Sequence, residues 1–220
     1  MYKLVIGDKE YELPNDLTLD KWVELNKWQA VPKKLVSIGM GIPMEDVNHI
    51  PADTMQLATS LVAAIMNPEW YKIKKEINGH QLIDFDSMSL GKFIDLEIYV
   101  LDYFKRMPDM VKVLYGMKDT DGIMLSDVYT AVQSYLKWRI LLYKQYSNLF
   151  NADAIDEETI KDKHIKINAA HTWMDITMTL ADGKFLNMDE VLNKPVIQAF
   201  NWLAWNKDRI RKENELQRHN

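Results

Sequence analysis

The chain has 220 residues, 47% of them apolar and 27% charged, a balance that excludes a wholly disordered polypeptide and suits one ordinary domain or two small ones. Eight Gly and seven Pro leave turn formers scarce, which argues against an all-β sandwich and for long helices. A net charge of −5 without a Lys/Arg run before the extreme C-terminus points away from nucleic acid. The absence of Cys excludes disulfides, thiolate zinc sites and a cysteine nucleophile.

In chain order, Tyr2, Leu4 and Ile6 alternate, Gly7-Asp8 turns the chain, and Tyr11 and Leu13 alternate again, so residues 2–13 are predicted to be a β-hairpin. No signal-peptide apolar run opens this region. After Pro14-Asn15-Asp16, Thr18 is placed to cap a helix carrying Leu19, Trp22, Val23 and Leu25. Met55 to Met66 reads as a short helix apolar enough to be core, ended by Asn67-Pro68. The uncharged stretch from Thr54 to Pro68 is too short, and with Gln56, Thr59 and Ser60 too polar, to span a bilayer, so no membrane partner is expected.

A second hairpin is predicted over about 71–85, because residues 5–25 shifted by 71 positions fall on residues 76–96 without a gap. Ile6 meets Ile77, Leu19 meets Leu90, Lys21 meets Lys92 and Leu25 meets Leu96. Between these identities Thr18 falls on Ser89 as a cap, Trp22 on Phe93 and Val23 on Ile94. The expected fold is therefore mainly α with small β-hairpins: a helical bundle with a duplicated hairpin–helix unit. From Leu90 one amphipathic helix is predicted through Phe93, Leu96, Val100 and Phe104, stopping near Pro108. A longer one carries Leu125, Val128, Val132, Tyr135, Leu142, Tyr146 and Leu149 in steps of three and four, with Arg139 the polar exception.

Residues 151–163 hold five acids and few apolar anchors and are predicted to be a linker or loop. They divide a hairpin–helix repeat region, 1–150, from a C-terminal helical region, 164–220. That region is predicted to contain a helix from about 165 to 180, a turn at Asp182-Gly183, and a helix opening at Pro195 whose part from Lys207 onward is solvated.

The sequence offers little catalytic chemistry. His49, His80, His164, His171 and His219 lack metal-ligand spacing, and Lys118–Gly122 lacks the acids of a calcium loop. Asp84 and Asp86 have no base nearby, and no Walker loop, GxGxxG or GxSxG motif occurs. Neither a catalytic centre nor a cofactor nor a metal is expected. Aromatic residues instead cover several faces of the long helix and one face of the last, which makes Trp138, Tyr143, Tyr146, Trp202 and Trp205 the candidate interface residues.

The hairpin KLVIGDKEYEL with the helix LTLDKWVEL, the second copy INGHQLIDFDSMSLGKFIDLE, and the helices SYLKWRILLYKQYSNLF and KPVIQAFNWLAWNKDR together resemble tail proteins of double-stranded DNA bacteriophages. These include tail assembly chaperones and baseplate-associated proteins. The resemblance is one of style across most of the chain. It implies a non-enzymatic protein made in the host cytoplasm that either joins the virion as a structural baseplate or tail component or escorts another tail protein. Its partners would be other tail or baseplate proteins, with a homo-oligomer possible. A regulatory protein-binding module would share the helical, acidic, Cys-free character and stands as a further alternative.

Overall fold

The computed structural model describes residues 2–67, 72–150 and 169–218. In chain order they form β1 (Lys3–Ile6), β2 (Lys9–Glu12), α1 (Leu19–Asn26), α2 (Pro32–Met40), α3 (Met44–Val47), α4 (Ala52–Met66), β3 (Glu76–Ile77) and β4 (His80–Gln81). There follow α5 (Leu90–Val100), α6 (Tyr103–Tyr115), α7 (Leu125–Gln145), α8 (Ser147–Phe150), α9 (Ala169–Leu180), α10 (Met188–Leu192) and α11 (Val196–Arg218). The protein is mainly helical, and its sheets among the described residues are two antiparallel hairpins, β1–β2 and β3–β4. The predicted linker 151–163, and the start of the helix expected from 165, lie outside the described residues.

The chain forms two compact units: residues 1–81 with 104–132, and residues 82–103 with 133–220. The division runs through α7, not at the acidic segment where composition alone suggested a boundary.

In the first unit, β1 and β2 pair with Leu4 opposite Tyr11 and Ile6 opposite Lys9. Alternation buries Leu4 and turns Val5 outward. Tyr11 and Lys9 both donate to the Asp46 carboxylate, tying the hairpin to α3. Thr18 caps α1, its hydroxyl accepting from the Lys21 amide at 3.3 Å, and α1 buries Leu19, Trp22 and Leu25. The Trp22 indole donates to the Met66 carbonyl at 2.8 Å, satisfying a buried polar atom at the end of α4. Helix α4 is only partly core: Ala58, Val62 and Met66 are buried, but Leu57 is exposed. Its apolar residues outnumber the positions that can face inward on one helix. Gly39 of α2 faces Val62, whose methyls lie 2.7 and 2.8 Å from where a Cβ would stand, so glycine sets how near α2 and α4 approach.

The single helix expected from Leu90 to Pro108 is two. Helix α5 ends at Val100, α6 starts at Tyr103, and Pro108 lies inside α6. Proline removes one amide donor, and burial of Met107, Met110, Val111 and Leu114 offsets that cost through packing that local propensity does not contain. The long helix is α7, with Leu125, Val128, Val132, Tyr135 and Leu142 buried; it ends at Gln145, so the expected stripe is broken at the buried Tyr146, and Leu149 lies in the separate short helix α8.

Each capped helix is joined to a later helix start by one β-bridge. In the first unit Thr18 bridges Met124: the Leu19 amide donates to the Ile123 carbonyl at 2.8 Å and the Leu125 amide to the Leu17 carbonyl at 2.7 Å. In the second, Ser89 bridges Pro195, with the Leu90 amide donating to the Lys194 carbonyl and the Val196 amide to the Met88 carbonyl, both at 2.8 Å. These bonds satisfy amides that helix starts leave open. The bridging residues themselves do not donate, so Pro195 is tolerated; it precedes α11 instead of opening it. Thr18 to Ser89 and Met124 to Pro195 are both 71 positions apart. The shift that aligns the hairpin–helix units thus also aligns the bridge partners.

Candidate functional site

The sequence places Asp84 and Asp86 on an extended segment; instead Asp84 caps a short 3-10 turn and Asp86 lies within it. Asp84 accepts from the Asp86 amide, and Asp86 accepts from the Trp138 indole at 2.9 Å. Both carboxylates have structural employment. Gly122 has φ +69° and the Ile123 amide donates to the Thr120 carbonyl, so the Lys118–Gly122 segment is a turn. Among the described residues no group of three or more His, Asp or Glu could hold a metal ion, and no helix is long and apolar enough to cross a membrane.

The most concentrated chemistry lies inside the second unit, where Glu97 of α5 and Arg139 of α7 form a buried ion pair. Arg139 Nε donates to Glu97 Oε1 and Nη2 donates to Oε2 at 2.8 Å. Tyr135 donates to Oε1 at 3.3 Å and Tyr143 to Oε2 at 2.6 Å. The Arg139 guanidinium also lies over the Tyr143 ring, 4.9 Å from its centroid. Burial, and then the Glu97 charge, push both tyrosine hydroxyls well above their usual range. Burial disfavours the Arg139 charge, but the adjacent Glu97 carboxylate outweighs it and the guanidinium is held more firmly protonated than usual. With four donors on its carboxylate, Glu97 has its lone pairs occupied, which suits a structural anchor better than a proton-transfer group. Arg139 is the odd polar residue in the α7 stripe, but the sequence carries no signal for Glu97, since the pair is formed across 42 positions.

Around Phe93 the second unit packs aromatic rings edge to face: Trp173 and Phe200 both lie at 5.6 Å, and Trp138 at 6.2 Å. Tyr143 and Tyr146, candidates for a partner surface, are instead core residues of this unit. Tyr143 is held by Glu97, and Tyr146 donates to Asn201 at 2.7 Å. Trp138 is half-buried between Phe85, Phe93 and Tyr135.

The two candidates on α11 do reach the surface, Trp202 at 40% and Trp205 at 59% exposed. Trp202 forms one wall of a groove of about 270 Å³ lined also by Leu180, Val191, Lys194, Gln198 and Ala199. Glu190 stands at this groove, paired with Lys194 at 3.0 Å. The adjoining 3-10 turn, residues 185–187, holds Phe185 and Leu186 at 75% and 91% exposed. Beyond Trp205, over which Arg209 lies at 5.6 Å, α11 continues to Arg218 as a solvated helix. The arrangement offers a recognition surface: an apolar groove with flanking polar groups and exposed aromatic anchors.

No protein-family model matches the chain, and no curated protein or solved structure matches it.

Proposed function

We propose that the protein is a non-enzymatic component of a bacteriophage tail, acting through protein–protein interfaces in the tail or baseplate. The observations that carry the surface-acting part of this reading are the groove beside Trp202 and the exposure of Phe185, Leu186 and Trp205 on the same unit, since exposed apolar surface marks interaction sites. The tail assignment itself draws on the resemblance of the hairpin–helix segments to tail proteins. The saturated Glu97 carboxylate supports a structural over a catalytic use of the most strongly coupled charges. A substantial internal core favours a permanent component over a transient escort, because obligate interfaces are large and apolar whereas an escort needs only a reversible contact.

Mass spectrometry of virions purified from the phage that encodes this chain tests the reading. Several copies per particle are expected. Absence from virions, with co-purification of a tail protein from infected cells, would replace the structural role with that of a tail assembly chaperone. Absence from both would leave a regulatory binding module.

A further inference from the structure

We propose that the groove beside Trp202 receives the leading strand of a second copy of this chain, so that copies associate head to tail. Because Met124 and Pro195 are related by the same 71 positions as Thr18 and Ser89, the starts of α7 and α11 correspond. Carrying the shift along them sets Asp127 on Gln198, Val128 on Ala199 and Ala131 on Trp202. The preceding helices end alike, at a spacing of 66 positions instead of 71. Helix α6 ends at Gly116 (φ +64°), with the Met117 amide donating to the Lys112 carbonyl; α9 ends at Asp182 (φ +54°), with the Gly183 amide donating to the Met178 carbonyl, both at 2.9 Å. The same motif also closes α2 at Gly41 (φ +70°), with the Ile42 amide donating to the Ser37 carbonyl at 2.9 Å, so it aligns the helix ends without being particular to the repeat.

In the first unit this face has an occupant from the chain itself. Lys74, in the segment leading into β3, is held at two points: its carbonyl accepts from the Tyr115 hydroxyl at 2.7 Å and its ammonium pairs with Asp127. Aligned on the left-handed residues Gly116 and Asp182, which are 66 positions apart, Tyr115 falls on Ala181, whereas the 71-position shift sets it on Leu186. A methyl group stands where the first unit projects a phenol, and the corresponding face is an open groove.

The repeat also names what would fill it. The same shift sets Lys3 on Lys74: Ile73-Lys74 lead into the second hairpin, while Lys3 already opens β1 opposite Glu12. In the first unit the segment ahead of a hairpin therefore lies on the closing face of a repeat, and the matching segment for the second unit's groove is the start of β1 in another copy. The chemistry agrees at two places. Val5, at the position of Glu76, presents an apolar side chain 66% exposed, and Phe185 and Leu186 offer it apolar surface. The position of Asp127 is taken by Gln198; the carboxylate at the groove is Glu190, which pairs with Lys194 at 3.0 Å and would exchange that exposed partner for Lys3. Lys3 now pairs with Glu10 and Glu12, each at 3.0 Å on the surface, and such exposed pairs exchange at little cost. The contact joins two different surfaces, so it builds rings or open chains instead of closed twofold dimers.

The inference stands on the two repeats and does not depend on the tail reading. Its test uses the full chain in sedimentation velocity over a range of concentrations, with Val5→Glu on the hairpin, Leu186→Asp at the groove, and Leu141→Glu as an exposed apolar control elsewhere. Concentration-dependent assembly is expected for the wild type and the control, with association weakened roughly tenfold or more in each of the two surface variants. An equimolar mixture of V5E and L186D should form dimers and nothing larger, because each brings one intact surface. A benzophenone photocrosslinker in place of Leu186 should reach residues 2–6 of another copy, shown with a mixture of isotopically light and heavy protein, and this readout serves if a charged variant fails to fold. A wild type that stays monomeric, a mixture that does not associate although both variants melt like the wild type, or crosslinks within one chain would each overturn the proposal. A monomer would do so without touching the virion result.

Discussion

In the first unit the capped helix turns Trp22 inward, where its indole donates to the Met66 carbonyl and its ring lies 6.0 Å from Phe104. At the matching position of the second repeat stands Phe93, which has no polar atom to place and is ringed by Trp138, Tyr143, Trp173 and Phe200. The cap, the bridge and the buried aromatic are common to both, but the surroundings differ. Helices α2–α4 follow α1 in the first unit, while aromatic rings and a buried ion pair fill the second. A local motif can thus be reused with its hydrogen bonds intact while the packing around it is rebuilt, because the cap and bridge involve mainly backbone groups whereas the core depends on side-chain volume.

The sharpest way to break the comparison is to remove the ion pair, which the first unit lacks among its described ion pairs. Glu97→Ala should cost about 3–5 kcal/mol, the scale for leaving a buried charge unpaired. Urea denaturation measures the loss, and hydrogen exchange should locate it in α5 and the C-terminal half of α7. Replacing both partners, with Glu97→Leu and Arg139→Met, should restore much of it. Next come Trp22→Ala and Phe93→Ala at about 3–5 kcal/mol each. Trp22→Phe should still cost about 1–3 kcal/mol by leaving the buried Met66 carbonyl without its donor. A chemical denaturation loss below about 1 kcal/mol for either alanine variant would contradict the burial described here.

A smaller effect separates the helix starts. Gly91 occupies the position of Asp20, and a Cβ there would stand 3.3 Å from the Leu192 carbonyl oxygen of α10. Gly91→Asp should therefore destabilise by about 1–3 kcal/mol through overpacking, whereas Asp20→Gly should cost less than about 1 kcal/mol, as helix propensity alone requires. The caps should behave alike: Thr18→Ala and Ser89→Ala are each expected to lose about 1 kcal/mol in thermal or urea unfolding, and unequal losses would show that the two starts are not equivalent.

Alkaline pH gives a graded readout. Burial, and then the Asp127 charge, raise the Tyr115 hydroxyl to about 12, and Tyr135 and Tyr143 are pushed well above the usual range. A raised group keeps its proton in the folded chain after the unfolded chain has lost it near pH ~10. Its contribution is therefore fully present below that pH and declines as the pH rises toward the folded value. Phenolate absorbance should show these tyrosines titrating late, Tyr115 ahead of the other two, and the urea midpoint should fall over the same range. Tyr135→Phe and Tyr143→Phe should each remove part of the latest phase.

The sequence by itself determined what is local. Alternation about Gly7-Asp8 set the first hairpin and the 71-position shift the second, whose strands fill only 76–81 of the expected 71–85; Thr18 and Ser89 set the helix starts, and steps of three and four from Leu125 set α7 as far as Gln145, because turns, caps and periodicity depend on residues a few positions apart. Tertiary structure decided the rest. It carried α6 through Pro108, joined Glu97 to Arg139 across 42 positions, and buried Tyr143 and Tyr146 while leaving Trp202 and Trp205 at the surface. A helical stripe records that a side chain is apolar, but not which neighbour covers it. That choice is made by packing between segments distant in the chain, where a proline's lost hydrogen bond or a buried charge is offset by contacts that no short window contains.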